Sequence, residues 1–335
     1  MAFGKIGIDF GTCEMKYCLY GTGIFGSEPC VAAVDAHTGR VLAYGKAALD
    51  WEGRESDTVR MVHAMQDGVI ANYALLRYMA RDITDRLCKN RIIKPEILAG
   101  ISTGVTETEK RAMLDVLYDA GARTACLIEE PVAAVFGLEA DTPPKGAAVL
   151  DVGGGTTDCA VVTMNSIAVS RSIASAGNAM TEEIRRYLRD ERGVEIGFLG
   201  AEEIKKTLAC AVMRSDEIAL IVGGKRLSGE GMNFEMTSTE MRFVLKTFYE
   251  EMEELVVSVF DQTPPELLGD IARDGLLLTG GSAQIYGLAD YLSRALHIPV
   301  SVPQDPARAV IRGIEKALPQ LSALRKQGFV YTDKT

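Results

Sequence analysis

Several residue patterns that would mark common protein classes are missing from this sequence. Histidine occurs three times, widely spaced, so a His-based metal centre is not expected. Seven cysteines, at 13, 18, 30, 88, 126, 159 and 210, form no Cys-x-x-Cys pair and are odd in number. That pattern fits a reducing cytoplasm, not a disulfide framework or a zinc site. Basic charge is in deficit: 36 Lys and Arg against 46 Asp and Glu leave a net charge of −10, the wrong sign for a general nucleic-acid binder. No apolar run approaches the ~20 residues of a membrane-spanning helix, and Met1 to Lys5 is too short and weakly apolar for a signal peptide. These absences predict a cytoplasmic protein that at most sits on a membrane surface. Neither a P-loop consensus nor a Gly-x-Gly-x-x-Gly turn after a strand is present, which removes two common nucleotide-binding designs.

What remains is a globular composition, 47% hydrophobic and 24% charged over 335 residues, long enough for two lobes rather than one core. Residues 5–9 and 15–20 read as strands about a tight turn, and glycines at 21, 23 and 39 extend a β-meander over the first 45 residues. From Asn72 to Lys89 the apolar period becomes helical, with Leu76, Met79, Ile83 and Leu87 on one face. Glu96 to Ile101 reads as a strand. Thr106-x-x-Glu109 is a capping-box signature opening a helix that ends near Gly121. A short strand, Ala125 to Ile128, leads through Glu129-Glu130-Pro131 into a helix to about Leu138, and Asp141 to Gly146 is the best linker. Ala147 to Val152 and Asp158 to Met164 follow as strands, then helices near 179–192, 201–212 and 238–260. A strand from Leu276 to Leu278 runs into Thr279-Gly280-Gly281-Ser282 and another helix.

The stretches "IGIDFGTCEMKYCLY" and "AVLDVGGGTTDCAVV" share one plan: apolar strand, Asp, x, Gly, a small or hydroxyl residue, strand. Successive N–H groups of such a Gly-rich turn can wrap a phosphate as an anion-binding nest. Asp9 and Asp151 at the strand ends suit Mg²⁺ held through its waters. One such turn is an ordinary hairpin. Two, each beginning a half of the chain, suggest related halves facing one ligand. Thr279 to Ser282 is a third Gly-rich junction, suited to close backbone approach by a flat ligand.

In order and spacing, "IGIDFGT", "LIEEPVAA", "VLDVGGGTTD" and "LLLTGGSAQIYGL" resemble the actin-like ATPase superfamily. "MQDGVIANY", "GVTETEKRAMLDVLYDAGA", "SRSIASAGNAMTEEI", "GAEEIK" and "TPPELLGDIARDGLLLTGG" narrow the resemblance to the bacterial actins of the MreB family, over roughly residues 5–320. The resemblance implies an α/β actin-like fold: two lobes, each with a ribonuclease-H-like core, in four subdomains. Lobe I spans 1–142 with an insert at about 31–66, and lobe II spans 143–312 with an insert at about 179–242. A C-terminal segment, 313–335, returns to lobe I.

The resemblance also implies ATP and Mg²⁺. Asp9, Gly11, Thr12 and Cys13 fall on the first phosphate loop, and Asp151, Gly153, Gly154, Gly155 and Thr156 on the second. Gly280, Gly281 and Ser282 match the adenosine loop. Glu202, Lys205 and Lys206 match the helix bordering base and ribose, although their spacing equally describes a solvated charged face. Glu130 and Thr156 match the residues that position the attacking water; without the resemblance, Glu129-Glu130-Pro131 reads rather as a helix N-terminus with favourable charges.

Lys16 departs from the family pattern, which has an apolar residue there. It stands where eukaryotic actin carries its phosphate-contacting lysine, and the competing reading is an edge lysine paired with Glu14. His63-Ala64 replaces the usual Arg-Pro, and Asn178 replaces an Asp. Ile92 and Ile93, between cations, take the place of the family's membrane loop, or else tuck inward. The implied function is a slow ATPase coupled to homopolymeric filaments on the inner face of the cell membrane. These would scaffold cell-wall synthesis with the elongation machinery and determine rod shape. The alternative is a non-polymerising actin-like ATPase, chaperone-like, reactivase-like or a small-metabolite kinase.

Overall fold

The computed structural model describes residues 4–54, 56–88, 93–137, 146–163 and 166–332. Of the expected linker Asp141 to Gly146, residues 141–145 lie outside them and Gly146 opens a strand; Ile92 with its neighbours 89–91 also lies outside.

Two five-stranded sheets organise the chain, and they are built alike. In the first, Lys5–Phe10 pairs antiparallel with Glu14–Leu19, which pairs with Ile24–Pro29; on the other side Lys5–Phe10 runs parallel to Glu96–Ile101, and that to Thr124–Glu129. In the second, Gly146–Val152 pairs antiparallel with Thr157–Thr163, which pairs with Ile167–Ile173; on the other side it runs parallel to Leu276–Thr279, and that to Val300–Ser301. The repeat read from the two Asp-Gly stretches is therefore a repeat of whole sheets. Central strands are buried on both faces, which is why they read as apolar runs rather than as alternations.

Each sheet has its own core. Ile6, Ile8, Leu76, Met79, Ile83, Ile97 and Leu114 belong to the first, Leu150, Val161, Ile184, Ile204, Met252 and Leu278 to the second. A third cluster lies between the sheets. Leu98 and Ile128 come to it from the first sheet, Ala160 and Val162 from the second, and Val132, Ile311 and Ile314 from two helices, Glu130–Gly137 and Ala309–Ala317. Those helices cross with almost no side chain between them: a Cβ built on Gly313 would stand 1.6 Å from the Ala133 carbonyl oxygen, and one on Gly137 2.8 Å from that of Ala309.

Local signals account for several boundaries. Asn72 caps Tyr73–Leu87 by accepting from the Leu75 N–H. Thr106 and Glu109 form the complete capping box of Glu107–Asp119. The structure also corrects the sequence reading. The first meander ends at Pro29, and Val31–Asp35 and Val41–Tyr44 join Val59–His63 in a separate three-stranded sheet. The helix expected over 238–260 is two, Ser238–Val244 and Lys246–Phe260, because Leu245 leaves helical geometry (φ −98°, ψ 3°) while its side chain stays fully buried. The helix expected over 201–212 is Phe198–Leu208; the chain extends at Ala209, and Cys210 bridges to Tyr286. The C-terminal segment comes back to the first sheet, where Leu127 and Tyr331 exchange backbone hydrogen bonds of 2.9 and 2.8 Å.

Gly313→Val should force the crossing helices apart and lower stability by about 2–3 kcal/mol. Gly269→Ala, in the exposed middle of Pro265–Asp274 where a Cβ meets nothing within 4 Å, should raise it by about 0.5–1 kcal/mol. Urea denaturation of the two variants checks both signs.

Candidate functional site

The two Asp-Gly hairpins face each other across the seam between the lobes. Their turns interlock so closely that only glycine fits: a Cβ on Gly155 would lie 2.3 Å from Thr12 Oγ1, and one on Gly154 2.2 Å from Cys13 Sγ. Polar contacts cross the seam as well. Cys13 Sγ donates to Asn178 Oδ1 at 3.1 Å, and Ser102 and Thr156 hydroxyls are 3.4 Å apart. Thr103 donates both its N–H, at 3.0 Å, and its hydroxyl, at 2.7 Å, to Asp158 Oδ1. Within the first lobe, the Gly68 N–H donates to Thr12 Oγ1 at 3.1 Å.

The third Gly-rich junction lies against the second hairpin. Gly280 has φ +88°, and a Cβ there would stand 2.5 Å from Asp151 Oδ1 and 2.3 Å from the Val152 carbonyl oxygen. Ser282 Oγ donates to the Gly153 carbonyl at 3.4 Å. Gly281 faces open space. The helix Gly177–Arg192 starts under the same turn, where the N–H groups of Gly177 and Asn178 donate to the carbonyls of Gly153 and Gly154 at 3.1 and 2.7 Å. The expected group on Phe198–Leu208 divides. Lys205 is buried, donating to the Gly177 carbonyl at 2.7 Å and pairing with Glu202 at 2.6 Å. Lys206 is exposed and pairs with Glu202 at 3.3 Å. Burial opposes the Glu202 charge, but Lys205 and the Thr181 hydroxyl outweigh it and hold the carboxyl below its ordinary range.

Titratable groups crowd the seam. Asp9 and Lys16 are direct cross-strand partners, so their side chains share a face, and Lys16 Nζ lies 3.3 Å from Asp9 Oδ2. The reading of Lys16 as an edge lysine is thereby set aside: Glu14 instead accepts from Ser27 at 3.2 Å. Asp151 and Asp158 are the corresponding partners in the second hairpin. Burial pushes the Asp151 carboxyl up to about 7, reinforced by Asp158 and Asp9 and opposed by Lys16. Burial also raises Glu130 well above its ordinary value, reinforced by Asp9, Asp158 and Asp151 and again opposed by Lys16. Asp158 is raised by burial against the hydrogen bonds of Thr103. Burial acts against the Lys16 charge, yet Asp9, Glu14 and Asp151 prevail and keep it firmly protonated.

Sequence reasoning missed Asp158, Ser102 and Thr103. Asp158 did carry a signal, an acid within an otherwise apolar strand and seven residues after Asp151, as Lys16 is seven after Asp9. Of the membrane pair only Ile93 is described, half-buried before the strand Glu96–Ile101.

Comparison with known proteins gives one answer. The family model described as "MreB/Mbl protein" matches residues 4–326. The cell shape-determining protein Mbl of Bacillus subtilis is 34% identical over 326 residues, which cover 96% of this chain and 98% of that one. The cell shape-determining protein MreB of Escherichia coli is 33% identical, covering 95% and 94%. Among solved structures, MreB5 of Spiroplasma citri bound to ADP superposes with a TM-score of 0.92 at 31% identity, covering 97% and 99%. A MamK double helical filament, at 17% identity and a TM-score of 0.80, shows the same fold.

Asp151 gives a pH signature. Its carboxyl keeps a proton in the folded chain up to about pH 7, whereas in the unfolded chain it loses it near the ordinary 3.8. Between these values the folded state binds more protons, so stability is greatest at the acid end and falls as pH rises through the window. Thermal melts without metal or nucleotide, from about pH 5 to about pH 7.5, should show Tm falling in the wild type and a shallower fall in Asp151→Asn.

Proposed function

This chain belongs to the MreB/Mbl family, and on that footing we propose that it binds ATP in the seam between its lobes and hydrolyses it slowly. We further propose that it assembles into filaments on the inner face of the cell membrane, which scaffold cell-wall synthesis and set rod shape. The observation that carries the nucleotide reading is the meeting of two Asp-Gly turns, one from each lobe, with Gly280 set against the Asp151 carboxylate. Support also comes from the MreB5 structures, one bound to ADP and the other to AMPPNP.

In this reading Gly11, Thr12 and Cys13 of one turn and Gly153, Gly154, Gly155 and Thr156 of the other present N–H groups to the phosphates. Gly280, Gly281 and Ser282 flank the adenosine, with Glu202, Lys205 and Lys206 beside base and ribose. Glu130, whose carboxyl burial raises well above its ordinary value, orients the attacking water and accepts its proton, and Thr156 helps to place that water. Lys16 supplies a positive charge to the β/γ-phosphates.

The donor set at the seam fits Mg²⁺. Asp9 and Asp151 are both buried, and Asp9 disfavours the Asp151 charge. No three His, Cys, Asp or Glu side chains among the described residues are placed to hold one ion by themselves. That suits a cation that keeps several of its waters and takes further oxygens from phosphate. Asp9 and Asp151 would hold it, and when bound it would neutralise charge on the phosphates.

Filament growth follows from a head-to-tail contact, which does not close on itself. The three-stranded sheet within 31–66 and that within 179–242 would then cap the two lobes as separate subdomains, with 313–335 completing lobe I. No helix among the described residues is long and apolar enough to cross a membrane, so attachment would rest on surface contacts such as Ile92 and Ile93. Each contributes about 1.5–3 kcal/mol if fully buried, which adds up along a polymer.

Ultracentrifugation with Mg-ATP, Mg-ADP or no nucleotide, with and without anionic liposomes, tests the whole reading. ATP-dependent pelleting with slow phosphate release is the expected result; phosphate release without pelleting under any condition points instead to a non-polymerising ATPase. Glu130→Gln should pellet with ATP while releasing phosphate about 10²–10⁴ times more slowly. Lys16→Ala should weaken ATP binding by about tenfold or more, the loss of one charge-assisted contact.

A further inference from the structure

Behind the seam lies a cavity of about 240 Å³, walled by parts of both lobes and by the C-terminal segment. Ile101 and Val132 come from the first lobe, Ile167 from the strand Ile167–Ile173 of the second, and Phe329 from the returning chain. We propose that this cavity is a ligand site for a small organic ammonium ion with a compact apolar body.

Charge and satisfaction carry the argument. Glu129 lines the cavity and accepts no hydrogen bond from any described residue. Burial and the nearby Asp158 disfavour its charge, and Lys110 favours it only through space; a half-buried carboxylate in largely apolar walls that accepts no hydrogen bond is incompletely compensated. Lys110, also on the wall, favours the Glu129 charge through space but makes its close ion pair elsewhere. Its Nζ pairs with Glu107 at 3.0 Å and lies 5.2 Å from the centre of the Tyr331 ring. An anion would be repelled by Glu129, and a neutral apolar guest would leave the carboxylate as it is. A metal ion has no set of three acidic, thiol or imidazole ligands among the described residues. An alkyl or arylalkyl ammonium matches both features: N–H donors for Glu129 and carbon for the walls. The volume equals that of about eight waters at ~30 Å³ each, which suits a guest of roughly eight to ten heavy atoms.

The cap over the cavity is well fixed. Leu127 and Tyr331 hold it by paired backbone hydrogen bonds, and Phe329 packs edge-on against Phe136 at 6.0 Å. The cavity is thus a preformed site rather than a gap between loose segments.

The test uses the whole chain with methyl-labelled Ile and Val, titrated with phenethylammonium and with its neutral analogue 2-phenylethanol. Saturable shifts at Ile101, Val132 and Ile167 are expected, with the amine binding about tenfold more tightly than the alcohol. Glu129→Gln should abolish that preference. Ile167→Trp, which fills the cavity from the second lobe's side, should block both probes and gives an answer even if the Glu129 variant folds poorly. Absence of saturable shifts, equal affinity for the two probes in the wild type, a preference that survives Glu129→Gln, or undiminished binding in Ile167→Trp would each overturn the proposal.

Discussion

Four carboxyl groups share the seam between the lobes with one ammonium group. Asp9, Glu130, Asp151 and Asp158 crowd a space from which much of the water is excluded, and Asp9 and Asp158 raise the cost of charging both Asp151 and Glu130. The arrangement persists because the surrounding fold over-determines it. Asp9 and Asp151 sit at the ends of strands buried on both faces. Asp158 is held by two donors from Thr103, and Lys16 lies opposite Asp9 in strand register. Two large cores, one behind each sheet, provide the cohesion that such unfavourable packing of like charge requires.

The seam also explains why glycine is so concentrated there. Turns from opposite lobes approach until backbone meets side chain, at Gly154 against Cys13 and Gly155 against Thr12. Behind them the crossing of Glu130–Gly137 with Ala309–Ala317 repeats the same close approach at Gly137 and Gly313. Interlocked turns at the front and the helix crossing at the back confine relative movement of the lobes to a narrow set of rotations.

Much of this was legible in the residues. The two Asp-Gly stretches announced the paired hairpins because turn chemistry is local, and the capping box at Thr106 and Glu109 fixed a helix start for the same reason. What sequence could not supply depends on contacts between distant segments. The removal of Val31–Asp35 and Val41–Tyr44 to their own sheet is set by pairing with Val59–His63, well downstream. The break at Leu245 is imposed by the core that buries its side chain, and periodicity alone reads straight through it. Lys205 and Lys206 look alike in a charged helix, yet one turns under the Gly177 carbonyl and the other into solvent. Asp158 was passed over because its partner, Thr103, comes from the other lobe.

The paired hairpins share a backbone plan but differ at one matched position: Lys16 in the first stands where Asp158 stands in the second. The approximate twofold symmetry of the two sheets is thus broken by charge. One hairpin pairs an acid with an ammonium group and its counterpart pairs two acids, so the polarity across the seam has a direction although the scaffold scarcely does. An asymmetric ligand with an anionic end and an associated cation meets two halves it can tell apart, and the two ways of lying in the seam differ in energy before any shape is matched. A scaffold that repeats itself can in this way impose a single orientation on what it encloses.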